Sequence, residues 1–215
     1  MYNGLMPEIT FEVRICDSCG LRYPMTVGHR FGSRCPVCLG ETRLAIGRQL
    51  LAEPTRAPTR SSPYKSGLAV LLDNIRSAGN VGSILRSADG FGFTQAYLCG
   101  ITPTPDHEAV LKTSLGAEDS VPWSYHKDAV RLVKGLKKEG FKIHALEEHP
   151  RAIDVCQAEI VDHHSVIVAG NEVTGVDPEL IDLCDEILYI PMYGEKRSFN
   201  VAIAFSIAAY ALGSK

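Results

Sequence analysis

Four cysteines, Cys16, Cys19, Cys35 and Cys38, fall as C-x2-C-x15-C-x2-C. Paired thiols at this spacing can present four thiolates to one tetrahedral ion, and four sulfur ligands leave no open position for water. The expected ion is therefore a structural zinc, and folding of the segment should depend on it. Gly20 and Gly40 follow the second cysteine of each pair, and Arg14, Arg22, Arg30, Arg34, Arg43 and Arg48 surround the knuckles. Such arginines either grip phosphate or simply keep a small domain charged; both readings stand. His29 lies between the pairs and reads as a solvated surface residue. Cys99, Cys156 and Cys184 sit among apolar neighbours and read as core residues.

A second set of polar residues is spread over three loops. Residues 73–92, DNIRSAGNVGSILRSADGFG, carry Asn80 and Arg86, with Gly79 and Gly82 placed for close backbone approach and Asn80 placed to cap a helix. This loop lacks both the Lys-Ser/Thr ending of a P-loop and the G-x-G-x-x-G of a dinucleotide fold. In residues 170–175, GNEVTG, Glu172 is held between glycines just after an apolar run, where a side chain faces a ligand or closes a plain turn. In residues 190–204, IPMYGEKRSFNVAIA, a β-type run stops at Pro191 and a helix is expected from about Ser198. Ser198 and Asn200 then put a hydroxyl and an amide at a helix mouth whose first N–H groups lack partners, so Ser198 can cap the helix, meet a polar ligand, or do both.

The elements that must position these groups follow from composition and pattern. With 45% hydrophobic and 22% charged residues over 215 positions, the chain can bury one good core plus a small module. Residues 52–66, rich in proline and serine, read as a linker. Beyond them short β-like runs (68–72, 95–99, 121–125, 141–146, 165–170, 186–192) alternate with helical segments (80–90, 106–115, 128–139, 178–184 and from 198), which predicts an α/β domain with a largely parallel, buried sheet. Ligands of such sheets bind at the carboxyl ends of the strands, where all three loops fall. The last helix is apolar on nearly every side, so Phe205, Ala209 and Tyr210 are candidates to meet a partner chain.

Charge and targeting patterns narrow the function. Net charge is −3, but the first 66 residues hold nine basic against five acidic side chains and the rest thirteen against twenty. No overall field draws the chain to nucleic acid, so such a partner must meet a local patch. An odd cysteine count without a leader pattern predicts a reducing, cytoplasmic setting, and no apolar run is long enough to span a bilayer. His107, His126, His144, His149, His163 and His164 have no metal-ligand or triad spacing.

Taken together and in order, NVGSILRSADGFG, VAGNEVTGV and IPMYGEKRSFNVAIAFSIAAYAL resemble the three motifs of the SpoU/TrmH branch of the SPOUT RNA methyltransferases. KTSLGAEDSVPW, residues 112–123, resembles the segment that the family places between its first and second motifs. Phe199 and Ala211 depart from the usual leucine and acid but touch no motif polar group. The resemblance implies a trefoil-knotted α/β domain over 67–215; the zinc ribbon at 1–50, read from the cysteine spacing, and the linker at 51–66 lie outside it. It also implies a homodimer and transfer of a methyl group from S-adenosylmethionine to a ribose 2'-hydroxyl of tRNA or rRNA. By the same resemblance Asn80, Arg86, Glu172, Ser198 and Asn200 are catalytic, and Gly100, Ala169, Gly170, Gly175, Ile190, Met192, Ser198, Asn200 and Val201 hold the cofactor. Arg86 is either the base for the hydroxyl proton or a fixed donor that clamps phosphate, since a guanidinium stays protonated. An inactive RNA- or ribosome-binding module and a methyltransferase for protein or small molecules are the competing readings.

Overall fold

The computed structural model describes residues 9–50, 67–158 and 164–213. The expected linker, 51–66, and His163 lie outside them. The chain divides into two compact units, Met1–Ser61 and Ser62–Lys215.

In the first unit β1 (Ile9–Cys16) sits between β2 (Arg22–Thr26) and β3 (Thr42–Leu50) in an antiparallel sheet of order β2-β1-β3. The alternation at Ile9, Phe11 and Val13 marked β1; β2 and β3 had no comparable alternation and were not expected. The two knuckles are not equivalent. Gly20 takes the left-handed conformation in the first, but Leu39 takes it in the second. Gly40 is there for space instead, because a Cβ would lie 2.4 Å from the Ser18 hydroxyl oxygen and 3.3 Å from Cys16 Sγ.

The second unit is built on β4 (Leu68–Asp73), α1 (Ala78–Gly90), β5 (Gln95–Cys99), α2 (Glu108–Ser114), α3 (Ala117–Ser120), β6 (Trp123–His126), α4 (Ala129–Lys138) and β7 (Lys142–Leu146). It continues with β8 (Ile153–Asp154), β9 (Ser165–Ala169), α5 (Pro178–Leu183), β10 (Glu186–Tyr189) and α6 (Val201–Gly213). Seven strands pair in the order β6-β5-β4-β9-β7-β10-β8, every pair parallel. The central β4 and β9 are buried along their whole length, as expected for strands covered on both faces.

Side chains alternate across a strand, so β4 feeds two cores. Leu68, Val70 and Leu72 pack with α1 and α6; Ala69 and Leu71 pack on the other face with α4 and α5. Gly82 of α1 lies against α2, where a Cβ would meet Val110 O at 2.4 Å and Thr113 Oγ1 at 2.1 Å. Its close approach is thus to a helix and not to a ligand, while Gly79 has only ordinary contact with Ser77.

Two capping expectations are corrected. Helix α1 is capped by Ser77, whose hydroxyl accepts from Asn80 N–H, and not by Asn80. Helix α6 begins at Val201 and not at Ser198, because Asn200 Oδ1 accepts from the Ala202 and Ile203 amides and so stops the helix there. Of the residues expected to meet a partner chain, Phe205 and Ala209 are corrected and Tyr210 is not. Phe205 and Ala209 are buried in this chain's own core, whereas Ile203 and Tyr210 are 52% and 65% exposed, with Ile207 half-buried between them. Ser206, the one polar break in the helix, bonds Ser87 of α1 at 2.7 Å. Among the described residues no helix is long and apolar enough to cross a membrane.

Candidate functional site

At the carboxyl ends of β4 and β9 the three loops meet through one chain of hydrogen bonds. The Glu172 carboxylate accepts from the Arg76 amide at 2.8 Å, the Ser77 amide at 3.0 Å and the Asn80 side-chain amide at 2.9 Å. Asn80 Oδ1 in turn accepts from Asn200 Nδ2 at 3.0 Å, and Asn200 Oδ1 caps α6. Burial alone would raise the Glu172 pKa, but the Arg76 amide, the Asn80 side chain and the Ser77 amide outweigh it and hold the carboxyl below its ordinary value. Glu172 is thus an ionised acceptor already committed to three donors. It positions Asn80 and Asn200 and is poorly placed to take a further proton.

The loop carrying Glu172 is a tight hairpin. Asn171 and Gly175 exchange two backbone bonds of 3.0 and 2.9 Å, and Gly175 takes φ +73°. A Cβ on Gly170 would lie 2.3 Å from Val176 N and 2.4 Å from Gly175 C, so this position admits glycine alone without backbone movement. Asn171, which sequence reasoning passed over despite its place in GNEVTG, donates to Asn74 O at 2.7 Å and accepts from the Val173 and Thr174 amides. Glu147, at the end of β7, accepts from Val176 N at 2.9 Å; nothing in its local pattern marks it.

Beside this network lies a cleft of about 750 Å³, within the usual size of a small-molecule site. Its walls are the ends of β7, β9 and β10, the hairpin and the segment leading into α6, with apolar Leu146, Ile190, Met192, Val201 and Ala204 opposite polar Glu172, Ser198 and Asn200. Residues 191–199 form no regular element and make no main-chain hydrogen bond to the described residues. Seven of these residues, Met192 and 194–199, line the cleft and can offer main-chain groups to a polar ligand.

Ala169, Gly170, Gly175, Ile190, Met192, Ser198, Asn200 and Val201 line this cleft. Asn80 reaches it through Glu172 and Asn200. Gly100 does not line it; its φ is +63° and a Cβ would lie 2.0 Å from Asn74 Oδ1, so it packs against that side chain. Arg86 does not line it either. Six residues after Asn80, it points about 240° around α1, and it is exposed.

The four sequence-predicted metal ligands do converge. Their Sγ atoms all lie within 4.8 Å of one another, with Cys16 and Cys38 at 3.4 Å and Cys19 and Cys35 at 3.7 Å. A zinc with bonds of about 2.3 Å needs tetrahedral edges of about 3.8 Å, so the set fits. The Cys19 amide, against burial, brings the Cys16 thiol down to about 6, and the Cys38 amide lowers Cys35. The Leu21 amide favours a Cys19 thiolate too, but the neighbouring Cys38 and Cys16 sulfurs push Cys19 up to about 12. Four crowded thiolates are not stable together unless a cation joins them. His29 is exposed, its Nδ1 accepting from Phe31 N.

The parallel sheet, the glycine-bound hairpin and the cleft at its carboxyl edge define an α/β domain with a ligand site at its strand ends. The chain superposes on the AdoMet-bound rRNA methyltransferase of Sinorhizobium meliloti with a TM-score of 0.64 and 26% identity, over 69% of this chain and 56% of that one. Residues 67–210 match the SpoU rRNA Methylase family, and the chain belongs to that family. It is 31% identical over 145 residues to the 23S rRNA (guanosine(2553)-2'-O)-methyltransferase of Bacillus subtilis, covering 66% of this chain and 56% of that protein. It is 30% identical over 143 residues to the tRNA (guanosine(18)-2'-O)-methyltransferase of Thermus thermophilus, covering 66% of this chain and 72% of that protein. The cysteine knuckles fall outside the matched span.

Proposed function

We propose that the chain methylates a ribose 2'-hydroxyl of tRNA or rRNA using S-adenosylmethionine, in the cytoplasm and as a homodimer. The observation that carries this reading is the Glu172–Asn80–Asn200 chain, which draws all three motif loops to one cleft. When bound, S-adenosylmethionine supplies an electrophilic methyl group on a sulfonium. Ile190, Met192 and Val201, with the main chain around Ala169, Gly170 and Gly175, would hold it and exclude water, in the bend of the trefoil knot that goes with the family fold. The amides and carbonyls of Met192 and 194–199, which bond no main chain among the described residues, would bind its polar ends.

The ribose hydroxyl is a weak nucleophile and needs alignment and loss of a proton. Ser198 lines the cleft, and among the described residues its hydroxyl is unbonded, so it can orient the ribose. Glu172 carries three donors and its carboxyl is held below its ordinary value, so it is assigned the frame and the proton leaves elsewhere. Arg86 is assigned the part of a fixed cation on substrate phosphate and hydroxyl. Because it lies outside the cleft of its own chain, a second copy is the natural source of this guanidinium. The face of α6 formed by exposed Ile203 and Tyr210 and half-buried Ile207 supports such a pairing. The cysteine unit is read as a zinc ribbon.

Labelled methyl transfer to total tRNA and rRNA, with mapping of the modified nucleotide, tests the reaction. RNA and cofactor binding without any transfer would leave a binding module. Arg86→Lys separates the two arginine roles, because a lysine keeps the charge but loses the bidentate fork; near-full turnover in that variant would sink the clamp.

A further inference from the structure

Helix α4 carries a line of cations on the sheet face opposite α1 and α6. Ala129, Val133 and Leu136 turn inward to the core, and Arg131, Lys134 and Lys138 lie exposed on the far side at i, i+3 and i+7. This stripe is about 10 Å long, and exposed Lys127 extends it in front of the capping residue Asp128. Among the described residues no carboxylate lies within ion-pair distance of any of the four. Lys137, which turns toward α5, is by contrast tied to Asp185 Oδ1 at 3.1 Å and Leu183 O at 2.6 Å.

Acidic groups do border the stripe. Asp128, Asp177 and Glu179 line the groove of about 740 Å³ beside it, and Glu139 follows Lys138. Two of these are already occupied: Asp128 Oδ1 accepts from the Arg131 amide and Asp177 Oδ1 from the Glu179 amide, each capping a helix. Like charges at these spacings weaken a helix, and of the three on α4 only Lys138, in the last turn, gains from the helix dipole, so the row adds little to the fold. It stands out the more because the part of the chain beyond residue 66 has thirteen basic against twenty acidic residues.

The stripe starts on the same rim as the cleft. From the Glu172 hairpin, Asn171 Nδ2 donates to Asn74 O at 2.7 Å, Asn74 Oδ1 accepts from Ile101 N at 3.2 Å, and Gly100 N donates to His126 O at 3.0 Å. Lys127 is the next residue. The rim thus crosses β9, β4, β5 and β6, a walk of about 14 Å at ordinary strand spacing. Tyr125, half out in solvent with its hydroxyl on Gly100 O at 2.8 Å, stands on that path.

We propose that Lys127, Arg131, Lys134 and Lys138 form a phosphate track that holds the RNA segment flanking the methylated nucleotide. The inference rests on the RNA-methyltransferase reading and adds to it a surface outside the motifs. A strand leaving the cleft crosses the rim past Tyr125 and runs down α4. Contacts of this kind bind phosphate without reading sequence, so they set affinity and leave chemistry alone.

The test uses the full chain, with Lys134→Glu/Lys138→Glu and the milder Lys134→Gln/Lys138→Gln, both remote from the cleft. Binding of total tRNA and rRNA is measured from 50 to 200 mM salt, with methyl transfer and S-adenosylmethionine affinity alongside. Two lost phosphate contacts should flatten the plot of log K against log salt by about 1.4–1.8. KM for RNA should rise, while kcat and cofactor affinity stay put. Unchanged slope and KM would overturn the track, including the case in which the cations serve an acidic protein partner. So would an equal loss on reversing Lys112 and Lys142, which lie off the stripe, since net charge would then explain everything. A wild-type chain that neither binds nor methylates RNA overturns both the track and the reading beneath it.

Discussion

Glu172→Gln separates a positioning carboxylate from a catalytic base. The native carboxylate serves three donors, the Arg76 and Ser77 amides and the Asn80 side chain, at 2.8, 3.0 and 2.9 Å. A glutamine offers one oxygen, which can replace Oε1 and keep Ser77 and Asn80, but its NH2 then faces the Arg76 N–H, donor against donor. The site is open to water, which softens the conflict, so the loss is about 1.5 kcal/mol, the low end for a charged acceptor. If the strained loop passes that to the transition state, turnover falls about tenfold. Cofactor affinity and the acid limb of the pH–rate profile should remain as in the wild type. Single-turnover methyl transfer across pH, with calorimetric binding of S-adenosylmethionine, measures both. A base would behave otherwise: its removal should cost about 10²–10⁴-fold and abolish the acid limb. That outcome would refute the reading of Glu172 as a positioning carboxylate.

Gly170→Ala places a Cβ 2.3 Å from Val176 N and 2.6 Å from Gly175 O, both main chain. It should cost about 2 kcal/mol, seen as a drop in Tm of roughly 4–8 °C; an unchanged Tm would mean that the hairpin yields freely. Cys16→Ser should remove zinc, read by metal analysis, and unfold the cysteine unit while the second unit keeps its own thermal transition. A ribbon that stayed folded without metal would count against the structural ion. For Asp185, burial is outweighed by the Ile143 amide and the Lys137 ammonium, so its folded pKa lies below its unfolded one, as for Glu172. Stability from both is present above about pH 4 and is lost as pH falls through the lower folded values. Asp185→Asn should flatten the acid side of the denaturant-midpoint profile, and an unaltered profile would show that the pair with Lys137 does not matter.

Much of the second unit was legible because its central strands are buried on both faces and helices such as α4 are amphipathic. LAVLL and SVIVA read as strands for the same reason that they sit at the centre of the sheet. The short elements escaped, since Ile153–Asp154 and Ala117–Ser120 are too brief for any period to show. Both helix starts were misplaced for a common reason. Ser77, Asn80, Ser198 and Asn200 are all capable caps, and only the tertiary partners decide which one is spent on its helix. Asn80 is claimed by Glu172, so Ser77 caps α1; Asn200 is bound by Asn80 on one side and caps α6 on the other, which frees Ser198.

Residue types and spacing by themselves determined the four-cysteine cluster, the parallel α/β class and the three motif loops, because cysteine spacing, strand burial and motif order are local or ordinal properties of a chain. What the hydrogen-bond network decided lies beyond them. It made Glu172 a clamp on three donors, left Ser198 in the cleft without a bond to the described residues, and placed Arg86 and Gly100 outside it. Those assignments depend on which groups meet across 92 to 120 residues of intervening chain. No local pattern carries that distance; the crossing order of the parallel strands does.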